Sequence, residues 1–399
     1  MRAGGDTLEA GAAEDTEELY VQLVEIAKEV LGMEHPHTLT SMQNLAIMWR
    51  NQGKLREAEA LAMQVTEARK ITLGLEHSST LFSMANLATI YVSRGRFQEA
   101  EVLQVQFIEL GKAVWGCDHP YILTCMENLS TTFSRQERWK EAEELQVKAL
   151  ELSKMVWGLN HPDTFTSMSG LATILRGQER LKEAEDLQVQ VLEAGKEIWG
   201  PDHSSTYANM DILSVIWLDL GRLAEAEKLV LQAMKGKKRV LGLEHPATLE
   251  SISNFRTILS KQERWEEAEE HQLQVVEIYR RVCGPEHPDT LTATTNLVSI
   301  LCGLKKFEDA EVLQAQIFEI RKVAWGPEHP DTVDSLERLS SISYHFAIAK
   351  LESKDPATDS YDGGYWGYGG GYGGCATGYA GYACYGNVCL FYSYCMHSN

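Results

Sequence analysis

Apolar residues in this chain fall on two helical stripes that alternate along its length. Met42, Leu45, Ala46 and Trp49 stand at i, i+3, i+4 and i+7, the spacing of a helix with one packed face. After a loop at Gly53, a second stripe follows through Ala58, Leu61, Ala62, Val65, Ala68 and Ile71. It stops at Gly74, where glycine suits the left-handed residue that ends a helix. The first helix opens at an H-P-x-T phrase, as in His161-Pro162-Asp163-Thr164. Proline fits the first helical position because the N–H it lacks would have no partner there. The pattern predicts a hairpin of two helices, with the small Ala58 letting them pack closely.

The hairpin recurs every 42 residues. His35, His77, His119, His161, His203, His245, His287 and His329 keep the interval without a slip. So do Ala58, Ala100, Ala142, Ala184, Ala226, Ala268 and Ala310, each inside an A-E pair. Gly32, Gly74, Gly116, Gly158, Gly200, Gly242, Gly284 and Gly326 precede each histidine by three residues. A period of this length signals a solenoid, in which each unit packs mainly on its neighbours. Residues 1–14 read as a flexible leader and 15–350 as the array, which opens on a lone second-type helix from Glu17 to Leu31. Seven full units follow, beginning near Pro36, Ser78, Pro120, Pro162, Ser204, Pro246 and Pro288. A first-type helix from about Pro330 to Lys350 ends the array. Residues 351–399 read as a disordered tail, because from Asp362 the chain is built of Gly, Tyr and Cys with almost no charge and no apolar period.

The spacing of Met42, Leu45, Ala46 and Trp49, with Ala58 nine residues on, resembles the tetratricopeptide pattern. The long period, with H-P-x-T and the N-L-A of Asn86-Leu87-Ala88, resembles the kinesin-light-chain type. The E-A-E-x-L-Q-x-Q and W-G-x-x-H-P phrases resemble the arrays that follow the nucleotide-binding domain of fungal NOD-like receptors. These resemblances cover residues 15–350 and imply an all-α, right-handed superhelical solenoid of stacked hairpins, with first helices lining a concave groove. No P-loop G-x-x-x-x-G-K-[ST] is present, so the nucleotide-binding half of such a receptor is missing from this sequence.

Charge and composition narrow the partners. The formal charge is −20, whereas phosphate backbones need dense lysine and arginine, so nucleic acid is not expected. The one basic cluster, Lys235, Lys237, Lys238 and Arg239, sits at the end of a predicted helix, where cations suit the dipole. No apolar run reaches the roughly 18 residues that a membrane span needs, and the acidic N-terminus lacks a secretory core. The expectation is cytoplasmic, with eight reduced cysteines. Cys375, Cys384, Cys389 and Cys395 lack C-x-x-C spacing, a weak basis for zinc.

Each recurring polar residue has a structural reading. The histidines lie about one helix diameter apart, roughly 10 Å, too far to share a metal, so no metal or cofactor is expected. Trp115, Trp157, Trp199 and Trp325 close second helices and read as core between units. The E-A-E glutamates, such as Glu141 and Glu143, read as solvated surface rather than catalytic carboxylates. No Ser, His and Asp trio stands apart from the repeat, so no catalytic residue is assigned.

Asn44 differs, because it recurs as Asn86, Asn128, Asn254 and Asn296 on the first helix, with Gly170, Ile212 and Arg338 departing. The position resembles the asparagine ladder of O-linked N-acetylglucosamine transferases, which implies amides that hold a peptide backbone. The competing reading is a bond to the neighbouring unit. The fifth unit sets Ile212, Val215 and Leu218 on one face, an expected apolar patch in the groove, or else extra packing within the hairpin. The function expected is a non-catalytic scaffold or sensor array holding a protein or peptide in its groove, as the receptor resemblance implies. The alternative is a kinesin-light-chain-like cargo adaptor.

Overall fold

The structure is a computed structural model that describes residues 6–352. Among the described residues it consists of sixteen helices. Helix α1 (Asp6–Leu31) precedes the first hairpin and packs on it, and it begins within the stretch expected to be a flexible leader. The first three units are α2 (Pro36–Asn51) with α3 (Leu55–Leu73), α4 (Ser78–Ser93) with α5 (Phe97–Trp115), and α6 (Pro120–Arg135) with α7 (Trp139–Trp157). Next come α8 (Pro162–Gly177) with α9 (Leu181–Trp199), and α10 (Ser204–Asp219) with α11 (Leu223–Leu241). The last pairs are α12 (Pro246–Lys261) with α13 (Trp265–Val282), and α14 (Pro288–Gly303) with α15 (Phe307–Ala324). Helix α16 (Pro330–Glu352) follows, and the first compact unit ends at Leu351. The Gly/Tyr/Cys stretch lies outside the described residues, as do residues 1–5.

Consecutive helices pack on one another throughout, the arrangement of a helical solenoid. The alanine of every A-E pair, from Ala58 to Ala310, is fully buried where its two helices meet. Around it lie the residues of the apolar stripes, such as Leu39, Met42, Leu45 and Val65 in the first unit. A larger side chain at the alanine would overpack the crossing, at a cost of about 1–3 kcal/mol.

The corner inside each hairpin is built the same way in all seven units. The residue after the first helix's cap takes positive φ: Gly53, Gly95 and Gly221, but also Glu137, Glu179, Glu263 and Lys305 at 59–61°. Backbone conformation alone therefore does not demand glycine at this corner.

What does explain Gly53 and Gly95 is a seam where the array meets itself. The corner of the first unit docks on the start of α14, 236 residues later, where His287 Nε2 donates to the Asn51 carbonyl at 2.8 Å. A Cβ on Gly53 would stand 2.6 Å from Pro288 Cδ, and one on Gly95 would stand 3.1 Å from Pro330 Cδ. Leu55, Leu291 and Trp325 bury one another there, with Ile320 and Ala324 at the edge. Two successive corners thus meet two successive His-Pro starts, and one turn of the solenoid closes on the next.

Candidate partner-binding face

The recurring histidines begin the first helices as caps. In all eight, Nδ1 accepts the backbone N–H two residues on, at 3.1–3.3 Å, as in His119 with Tyr121. An accepting Nδ1 places the ring proton on Nε2, the tautomer that His287 uses at the seam. No group of three or more His, Cys, Asp or Glu able to hold a metal occurs among the described residues. Trp115, Trp157 and Trp199 stack on the capping histidine four residues later, with ring centroids 5.2–5.7 Å apart. These three are half-buried at the turn between units, Trp115 packing against the cluster of Phe107 and Ile122, whereas Trp325, enclosed by the seam, is only 5% exposed.

The second glutamate of each E-A-E phrase does more than face water. Glu143 pairs with Arg180 of the next unit at 2.7 Å, and Arg180 also pairs with Glu183 at 2.6 Å. The same clasp joins Glu59 to Arg96, Glu101 to Arg138, Glu185 to Arg222 and Glu227 to Arg264. Desolvation raises the Glu143 carboxyl, but hydrogen bonds from Gln178 and Arg180, with the charge of Arg180, hold it below the usual carboxylate range. Glu141, the first glutamate, is exposed as expected. The glutamine of the same phrase is also structural. Buried Gln146, Gln272 and Gln314 donate to Ser167, Ala293 and Ser335 carbonyls of the next first helix at 2.7–3.0 Å. The 37- and 21-residue offsets of these bonds were present in the repeat but carry no meaning until the units stack.

The asparagines behave otherwise. Asn44 and Asn128 are exposed, Asn86, Asn254 and Asn296 are half-exposed, and none of the five amides has a hydrogen bond among the described residues. The competing reading of a bond to the neighbouring unit is not the arrangement found. Each first helix therefore carries an uncommitted donor and acceptor at the same turn in units one, two, three, six and seven. In unit five, Ile212 is half-buried against a cluster of Leu171, Leu175 and Ile216. Leu218 is half-buried against Phe255 and Ile258 of the next first helix. Val215 is half-buried outside these clusters. Two of the three apolar residues are thus engaged in packing between units.

Comparison with known proteins gives this architecture its family. The tetratricopeptide repeat family matches residues 79–155, 135–197 and 257–322, and a second tetratricopeptide repeat family matches 38–79 and 210–247. The chain is a tetratricopeptide-repeat protein. Among solved structures, this repeat protein is similar to a Podosopora anserina protein described as a kinesin light chain with nearly identical TPR-like repeats. That match has 26% identity and a TM-score of 0.47, over 52% of this chain and 98% of the other. The yeast Tom70 structure matches at 12% identity and a TM-score of 0.54, over 86% of this chain and 61% of Tom70. A Rap protein complexed with competence and sporulation factor matches at 12% identity and a TM-score of 0.51, over 85% and 99%. No curated protein matches the sequence. No helix among the described residues of this repeat protein is long and apolar enough to cross a membrane.

Proposed function

We propose that the array is a non-catalytic scaffold or sensor that holds an extended segment of a protein partner against its first helices. The observation that supports this reading is the row of five unbonded asparagine amides, repeated at the same turn of five first helices. An amide can both donate to and accept from a peptide backbone, so such a row suits a chain whatever its side chains. Val215 and the exposed edges of Ile212 and Leu218 give the row an apolar interruption at unit five.

The test is a pull-down from cell extract with the parent chain as bait, followed by titration of the captured partner. Asn86→Ala with Asn128→Ala is expected to weaken that binding by about 1–3 kcal/mol in total, the net of one or two lost hydrogen bonds. Thermal stability should stay at the parent value, because neither amide bonds within the molecule. A pair of variants that lose stability and keep affinity would remove the basis of the proposal.

A further inference from the structure

The exposed face of α11 in unit five departs from the repeat in a way that packing does not explain. At the position of Lys235, the equivalent residues are Glu25, Glu67, Glu109, Glu151, Glu193, Glu277 and Glu319. One acidic stripe thus reverses sign at a single unit. Lys228, Gln232, Lys235 and Arg239 lie on one face of α11, spaced four, three and four residues apart. Neither Lys228 nor Lys235 has an ion-pair partner among the described residues.

A second change hollows the surface beside these cations. Other units pair a leucine or phenylalanine with a larger second-helix residue, as in Leu81 with Leu110 and Leu123 with Leu152. Unit five pairs Tyr207 with Gly236, and a Cβ on that glycine would lie 2.0 Å from Tyr207 Cζ. The bare glycine lets the phenol ring lie across α11 and carry its hydroxyl to the rim. There Tyr207 donates to Asp202 Oδ1 at 2.6 Å, and Arg239 bridges both, at 2.6 Å to Asp202 and 3.2 Å to the hydroxyl. The result is an open depression of about 490 Å³ lined by Asp202, Tyr207, Lys228, Leu231, Lys235 and Arg239. Its three cations against one carboxylate leave two positive charges.

We propose that this depression binds a phosphate monoester, whose dianion matches the two net charges. Lys228 and Lys235 meet the phosphoryl oxygens, Arg239 turns from Asp202 or bridges to the ligand, and Leu231 and the Tyr207 ring take the group that bears the phosphate. The site lies on a second helix, apart from the asparagine row, so it stands or falls independently of partner binding there.

Calorimetric titration of the full chain tests this with three probes: glucose 6-phosphate, an N-acetylated phosphoserine tripeptide, and the same tripeptide with glutamate replacing phosphoserine. Saturable binding of at least one phosphorylated probe is expected, and the tighter of the two identifies the source. Lys235→Glu restores the residue of every other unit, and Tyr207→Leu with Gly236→Leu refills the hollow with the pair used in units two and three. Each is expected to weaken binding about tenfold or more, the loss of one hydrogen bond to a charged group. Lys154→Glu makes the same charge change at an exposed lysine of α7 and should leave affinity unchanged. The proposal is overturned if no phosphorylated probe saturates, or if the glutamate peptide binds as tightly. Equal weakening by Lys154→Glu, or unchanged binding by either pocket variant, also overturns it.

Discussion

Arg256 occupies a position where the other units place Ala46, Ala88, Ser130, Ala172, Ser214 and Val298, all buried between helices. Its Nε is buried without a partner, and desolvation pushes the guanidinium pKa down to about 10. A charge held there without a carboxylate costs free energy, so Arg256→Ser, the residue of units three and five, should stabilise the array by about 1–3 kcal/mol. The pH dependence has a definite sign. Above about 10, and until the arginine of the unfolded chain also loses its proton, the unfolded chain holds more protons at this group than the folded one, so the parent gains stability as pH rises. The advantage of the variant should therefore be full at pH 8 and shrink as pH passes 10 in parallel chemical denaturation. A variant less stable than the parent at pH 8 would show that the guanidinium stem contributes more packing than its head costs.

At the scale of helix pairs, the second helix of unit five is tied to the first by a buried ion pair. Lys237, 1% exposed, bonds Asp211, 4% exposed, while Ser251 donates to the same carboxylate oxygen at 2.5 Å and the Ala247 carbonyl accepts from Lys237 at 3.1 Å. Burial raises the Asp211 pKa even with the lysine beside it. Lys237→Met should cost about 3–5 kcal/mol, because it strands a buried carboxylate. Asp211→Ser with Lys237→Ser uses residues found at these positions in units four and three, and should recover most of that loss in thermal melts. Equal destabilisation by single and double variants would contradict the coupling.

This level is also where sequence reading stops. Helix ends, hairpin pairing and the buried alanines followed from apolar spacing and from proline and glycine, since each is set within one unit. Lys237 looked like a cation suited to a helix end because its partner lies 26 residues away and only stacking shows that both are enclosed. The Glu143–Arg180 clasp escaped for the same reason, and Ile212 and Leu218 gave a groove patch that the neighbouring first helices partly claim. The recurrence of Asn44 was legible because it does not depend on a distant partner.

Across the whole molecule, the seam makes a prediction that the hairpins do not share. Gly53→Glu with Gly95→Glu installs the residue that Glu137 and Glu179 already carry at the same corner with φ of 59° and 61°. Both hairpins should therefore form, and helical circular dichroism should be unchanged. The seam should not form, since a side chain at residue 53 would collide with Pro288 and one at residue 95 would crowd Pro330. Small-angle scattering should then show a larger radius of gyration and a longer maximum dimension. An unchanged scattering curve would mean that closure tolerates a side chain at both corners.

The corner residues also act as a length gauge. Growth of a gene by duplication of one 42-residue copy is the simplest change such a sequence can undergo, and each copy brings its own His-Pro start. The first two starts to complete the turn, Pro288 and Pro330, land on glycines. The next corner in line is Glu137, followed by Glu179. A copy appended after α16 would arrive at a side chain where its predecessors met bare backbone. The seam contact predicts that the winding widens or splays at that step unless Glu137 is exchanged for glycine.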